Sequence, residues 1–139
     1  MQISIIIVTW NGKRYAEECL DSLHAYINDP RAEVIVVDNA STDGTPEMIE
    51  HSYPGVMLIR NDKNLGFAKA NNVGIRKSSG EFVLLVNSDV VVREGCIERL
   101  VPYMKSVSSI SPTWSRASRR VTQNQPFSTS TSATRSILK

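Results

Sequence analysis

With 139 residues, 41% of them apolar, the chain suits one domain with its own core, and no run of about 18 apolar residues is present to span a membrane. The net charge of +2 hides a split: residues 1–105 hold all 14 acids and 11 of the 16 Lys and Arg, while residues 106–139 hold five basic residues and no acid. Residues 1–105 are therefore net acidic, so the basic overall charge gives no case for a nucleic-acid partner.

The pattern up to about residue 105 alternates strand and helix. Ile3–Val8 reads as a first strand, because it lacks the positive flank and cleavage site of a signal peptide. A first helix follows over about Arg14–Ile27, with Tyr15, Cys19, Leu20, Leu23, Tyr26 and Ile27 on its apolar side. Val34–Val37 forms a second strand, closed by Asp38, and Asn39–Gly44 is dense in turn formers. The second helix starts with Thr45 as N-cap and Pro46 at its first position. Tyr53-Pro54-Gly55 stops it.

Val56–Arg60 is a short third strand, and Asn61–Gly66 is a polar loop into a third helix, Phe67–Lys77. Phe82–Val86 reads as a fourth strand, buried on both faces, and a fourth helix covers about Gly95–Met104. Such alternation predicts an α/β fold with a doubly wound, mainly parallel sheet. Right-handed crossovers then bring the ends of strands one, two and four to one edge.

Residues 106–139 break the pattern. Ser and Thr crowd 128–132, apolar periodicity is almost lost, and a disordered tail is expected. Cys19 and Cys96 lie in helical patterns without CxxC spacing, which suits buried free thiols in a reducing, cytoplasmic compartment.

Four polar clusters fall at strand ends. After strand one, Thr9-Trp10-Asn11-Gly12 can wrap a flat ring, or Asn11 can simply cap a turn. Asp38 sits at the crevice mouth beyond four aliphatics, where a carboxylate can accept from a base N–H or a ribose hydroxyl, or cap its own loop. Asp43, before Gly44, reads as structural. In Asn64–Gly74, Gly66 permits close backbone approach and Lys69 adds charge at a helix start that attracts anions. Asn71 and Asn72 are poor mid-helix residues, which points to another reason for at least one of them.

The last cluster is Asn87-Ser88-Asp89. In extended chain Asn87 and Asp89 point the same way, and a lone carboxylate there can hold Mg²⁺ or Mn²⁺ together with phosphate oxygens. His24 and His51 read as surface residues. No GxxxxGK[ST] and no GxGxxG occurs, which argues against a P-loop or dinucleotide site.

Taken in order, Ser4–Asn11, Val36–Gly44, Asn64–Gly74 and Leu84–Asp89 resemble the N-terminal half of the inverting family 2 glycosyltransferases of GT-A fold, nearest the rhamnosyltransferase-like branch. The resemblance implies a nucleoside-diphosphate-sugar site. Thr9 and Asn11 would line the base pocket, with Asp38 and Asn39 at the base. Asn64, Gly66 and Lys69 would border the diphosphate and sugar. Asn87 and Ser88 would stand in the DxD element, with Asp89 as the metal ligand, Asn87 replacing the first Asp.

The resemblance also implies a glycan or lipid-linked acceptor and work in the cytoplasm, at the inner face of a membrane. Family members carry an acidic general base after the DxD strand, yet no acid follows Glu98. The sequence therefore reads as a donor-binding half, residues 1–105, with a tail resembling out-of-frame translation. Its alternative is a non-catalytic nucleotide-sugar-binding remnant or subunit. A third, weaker reading, a sugar nucleotidyltransferase, would need a Gly-rich basic loop after strand one, for which Thr9-Trp10-Asn11-Gly12-Lys13 is a poor match. A missing second half would leave a bare sheet edge and invite self-association.

Overall fold

The structure, a computed structural model, describes residues 3–27, 30 and 32–110. Four parallel strands, β1 (Ile3–Thr9), β2 (Ala32–Asp38), β3 (Met57–Arg60) and β4 (Phe82–Asn87), form one sheet in the order β3-β2-β1-β4. The helices are α1 (Lys13–Tyr26), α2 (Thr45–Ser52), α3 (Phe67–Lys77) and α4 (Cys96–Ile110). The alternation expected from sequence is the fold observed.

Strand alternation divides the core in two. Ile3, Ile5, Ile7 and Val36 point to one face, where Cys19 and Leu23 of α1, Ile49 of α2 and Ile97 of α4 meet them. Ile6, Ile35 and Val37 point to the other, against Ala70 and Val73 of α3. The close fit of α3 depends on Gly74. A Cβ there would lie 2.6 Å from Ile6 Cγ2 and 3.1 Å from Val37 Cγ2.

At the amino end of the sheet, Glu33 ties three elements together. Its Oε1 accepts from Ser4 Oγ at 2.5 Å and from the Ser79 and Gly80 backbone N–H groups at 2.6 and 3.1 Å. The turn entering β4 is thereby fastened to β1 and β2.

Several expectations need correction. The core side of α1 is Ala16, Cys19, Leu20 and Leu23, while Tyr15 and Tyr26 are exposed one position off that stripe. Gly44, not Thr45, occupies the α2 N-cap, because Asp43 reaches the Thr45 N–H and hydroxyl. Cys96 is exposed, at the first position of α4. The fourth helix runs on to Ile110 through Pro102, past the boundary expected near residue 105. The expected disorder of the tail falls on residues 111–139, outside the described ones. His24 and His51 are exposed, as read.

The largest correction concerns β4. Its burial is partial and Leu85 is 47% exposed, because among the described residues β4 is an outer strand and α3 packs chiefly on β1 and β2.

Candidate functional site

The carboxyl ends of β2, β1 and β4 lie side by side, which puts the loops after them around one crevice. Thr9 and Asp38 close β1 and β2 and are register partners. Both are buried, and Thr9 Oγ1 and Asp38 Oδ1 have no hydrogen-bond partner among the described residues. The other Asp38 oxygen accepts from the Ser41 N–H at 3.0 Å. An unpaired buried oxygen costs about 1–3 kcal/mol, so both are open to a donor from outside the chain, water or ligand.

The loops after β1 and β2 are stitched together. Asn11, at φ 49°, donates its N–H to Ser41 Oγ at 2.8 Å and accepts from the Thr42 N–H at 2.8 Å. Asp43 joins the starts of two helices, accepting from the Lys13 N–H at 2.9 Å and the Thr45 N–H at 3.1 Å. Burial pushes its carboxyl up, but the bonds from Thr45 and Lys13 outweigh this and hold it below the usual carboxylate range. Between the fixed residues Thr9 and Asn11 stands Trp10, 57% exposed.

Asn39 is buried and bonds through both ends of its amide. Its Nδ2 donates to Asn64 Oδ1 at 3.0 Å, and its Oδ1 accepts from Asn61 Nδ2 at 3.0 Å and the Leu65 N–H at 3.1 Å. The Gly66 N–H adds a second bond to Asn64 Oδ1 at 2.8 Å. Two backbone donors thus fix which way both amides face. The Asn64 Nδ2 makes no hydrogen bond among the described residues and remains a free donor. Ala40, directly after the clasp, is held at φ 65°, a left-handed conformation costing about 1–2 kcal/mol for a residue with a Cβ.

Gly66, at φ 77°, precedes α3, whose start carries no side-chain cap bond. Lys69 is exposed in the first turn of that helix. Asn71 is buried and donates to the Phe67 carbonyl at 3.0 Å, which explains one of the two mid-helix asparagines.

At the end of β4 the chain does not stay extended. Ser88 and Asp89 form a turn, closed by the Val90 N–H donating to the Asn87 carbonyl at 3.1 Å. Simple alternation therefore does not set Asn87 and Asp89 on one face. Asn87 pairs with Val8, whose side faces α3, and Asp89 is exposed. Cys19 lies beneath this turn, its Sγ 3.8 Å from the Asn87 carbonyl. Burial, with the Asp89 carboxylate adding to it, pushes that thiol up to about 11. Cys19 is therefore an unreactive packing residue.

No group of three or more His, Cys, Asp or Glu suited to a metal occurs among the described residues. Asp89 supplies a single hard carboxylate. Such a donor fits a cation that arrives with phosphate oxygens, and does not fit a resident metal cage. Two residues went unassigned in the sequence: Trp10, whose exposure no pattern reveals, and Asn61, whose role depends on the fold bringing it to Asn39. A cavity of about 540 Å³ lies at the other end of the sheet, between α1, α2 and the start of β3, and holds none of these residues.

The family model for Glycosyl transferase family 2 matches residues 4–137. Glycosyltransferase GlyG of Streptococcus pneumoniae is 32% identical over 103 residues, 70% of this chain and 33% of that protein. The crystal structure of Staphylococcus aureus TarS 1-349 in complex with UDP superposes with a TM-score of 0.68 at 31% identity, over 76% of this chain and 32% of that one. A Pyrobaculum calidifontis mannosyltransferase in complex with GDP-Man and Mn²⁺ gives 0.59 at 32% identity, over 63% and 27%. The fold is the GT-A fold of these neighbours, and the chain spans about a third of their length or less.

Proposed function

The chain belongs to glycosyl transferase family 2, and on that footing we propose that it binds a nucleoside-diphosphate sugar at the carboxyl edge of its sheet. The carrying observation is the pair of buried, unpaired oxygens on Thr9 and Asp38. A nucleobase offering an N–H to Asp38 would satisfy the costlier of the two. The free Asn64 amide is a donor suited to a carbonyl on the same ring, and Trp10 offers a face for stacking. A base with a carbonyl beside an N–H (uracil, thymine or guanine) meets both demands. Cytosine and adenine have no ring N–H beside a carbonyl; their donor is an exocyclic amino group, so they present donor and acceptor in a different arrangement.

Asn11 and Asn39 hold the pocket's loops in place. The uncapped start of α3, with Gly66 and Lys69, suits the diphosphate. Asn87, Ser88 and Asp89 border it from β4, with Asp89 holding Mg²⁺ or Mn²⁺ jointly with the diphosphate. When bound, that cation would offset negative charge on the leaving diphosphate.

Inverting transfer also requires a base to deprotonate the acceptor hydroxyl. Donor binding is the activity we assign to the described residues. A polysaccharide or lipid-linked acceptor, met at the cytoplasmic face of a membrane, would complete the reaction with a base supplied from elsewhere. Titration with UDP, dTDP and CDP, with and without Mn²⁺, tests this. Preference for UDP or dTDP over CDP, strengthened by Mn²⁺ and weakened in Asp89→Ala, is the expected outcome.

A further inference from the structure

The turn that carries Asp89 is fastened to α1 at both of its ends. Ser88 is half-buried, and Asp89, Val90 and Val91 are exposed, so the packing of these side chains fixes little. At the first end, the Asn87 carbonyl accepts from the Val90 N–H at 3.1 Å and lies 3.8 Å from Cys19 Sγ. At the second, the Val92 N–H donates to Ser22 Oγ at 2.9 Å, and the Val92 side chain enters the core on the α1 face.

Ser22 makes the second tie with both capacities of its hydroxyl. While its Oγ accepts from Val92, it donates to the Cys19 carbonyl one turn back at 2.7 Å. That inner bond turns the hydroxyl proton away from Val92 and leaves a lone pair for the Val92 N–H. Ser22 is 7% exposed, and alanine suits a helix interior better, so α1 itself has no call for a hydroxyl here. What the hydroxyl supplies is a fixed place for Val92, three residues after Asp89. A thiol is a weak donor, so the tie at Ser22 is the stronger of the two.

We propose that Ser22 is a positioning residue for Asp89. Its hydroxyl holds the Asn87–Val92 turn so that the Asp89 carboxylate stands ready for a divalent cation arriving with the diphosphate. Asp89 is the one residue assigned to that cation, so the place of the turn decides the place of the ligand. The proposal rests on the reading of Asp89 as the cation's ligand, and Ser22 acts only through the turn.

Titration of the whole chain with UDP, with and without Mn²⁺, tests it in wild type, Ser22→Ala, Asp89→Ala and the double variant. Ser22→Ala is expected to lower the Mn²⁺-dependent gain in UDP affinity about tenfold, the low end for losing a group that orients a metal ligand. Its metal-free UDP affinity is expected to match wild type. In the Asp89→Ala background, Ser22→Ala is expected to cost nothing further. Exchange of the Val92 amide in metal-free wild type needs no variant, and it is expected to be slow.

A wild type that binds no UDP, or binds it equally with and without Mn²⁺, removes the reading of Asp89 and this proposal with it. Where the gain is present, four results overturn the proposal alone. These are an undiminished gain in Ser22→Ala, an equal loss with and without Mn²⁺, a further loss in the Asp89→Ala background, and an unprotected Val92 amide in the wild type.

Discussion

Thr9 and Asp38 face one another across the β1–β2 ladder, and each carries a buried oxygen that no described group satisfies. That arrangement opposes stability and favours binding. Thr9→Val removes one of the two orphans while nearly preserving shape. It is expected to raise unfolding free energy by about 1 kcal/mol and to weaken nucleotide binding. Urea unfolding and UDP titration of the same variant check both halves, and a loss of stability would show that Thr9 is satisfied in a way not recognised.

Asn64→Asp keeps the oxygen that accepts from Asn39 and Gly66 but removes the free amide donor. The loop should persist, and the margin between UDP and CDP should shrink about tenfold, the worth of one hydrogen bond to a base. Equal binding of UDP and CDP already in the wild type would remove the case for Asn64 as a reader of the base.

The Glu33 clasp predicts an acid limb in stability. Burial pushes the Glu33 carboxyl up, but the bonds from Ser4, Ser79 and Gly80 outweigh it and hold the group below its ordinary value of 4.5. A folded value below the unfolded one means the contribution is complete above 4.5 and is lost as pH falls through the folded value. Melting followed downward from neutral pH should show this loss, and Glu33→Gln should flatten it. An unchanged acid limb in Glu33→Gln would assign the loss to other carboxylates, Asp43 first among them.

Gly74→Ala tests the packing of α3. The new methyl meets Ile6 and Val37 on the sheet, and overpacking of this kind costs about 1–3 kcal/mol. A melting temperature equal to wild type would mean that α3 lifts from the sheet without penalty.

Much of the fold was legible because its signals are local. Aliphatic runs set β1 and β2, and Pro46, Gly55 and Gly80 mark where elements begin or stop. The α3 limits agree with the sequence reading residue for residue. What escaped was long-range. Phe82–Val86 has the composition of a central strand, and only the strand order shows that it is the outer one among the described strands. Extended chain would put Asp89 on the same side as Asn87, whereas Val90 folds back on Asn87. Asn39 and Asn64 lie in separate sequence clusters, and their bond to each other appears only once the end of β2 and the loop after β3 are adjacent.

The proposed nucleotide site is built on Thr9 and Asp38. Calorimetric titration of UDP into the wild type and Asp38→Asn, with Mn²⁺ present, tests it most directly. The variant keeps an oxygen for the Ser41 N–H but puts an amide donor where the free acceptor stood. Saturable binding by the wild type, weakened at least about tenfold in a folded Asp38→Asn, is predicted. Wild-type affinity retained in Asp38→Asn, or no binding by the wild type at millimolar UDP, would contradict the account.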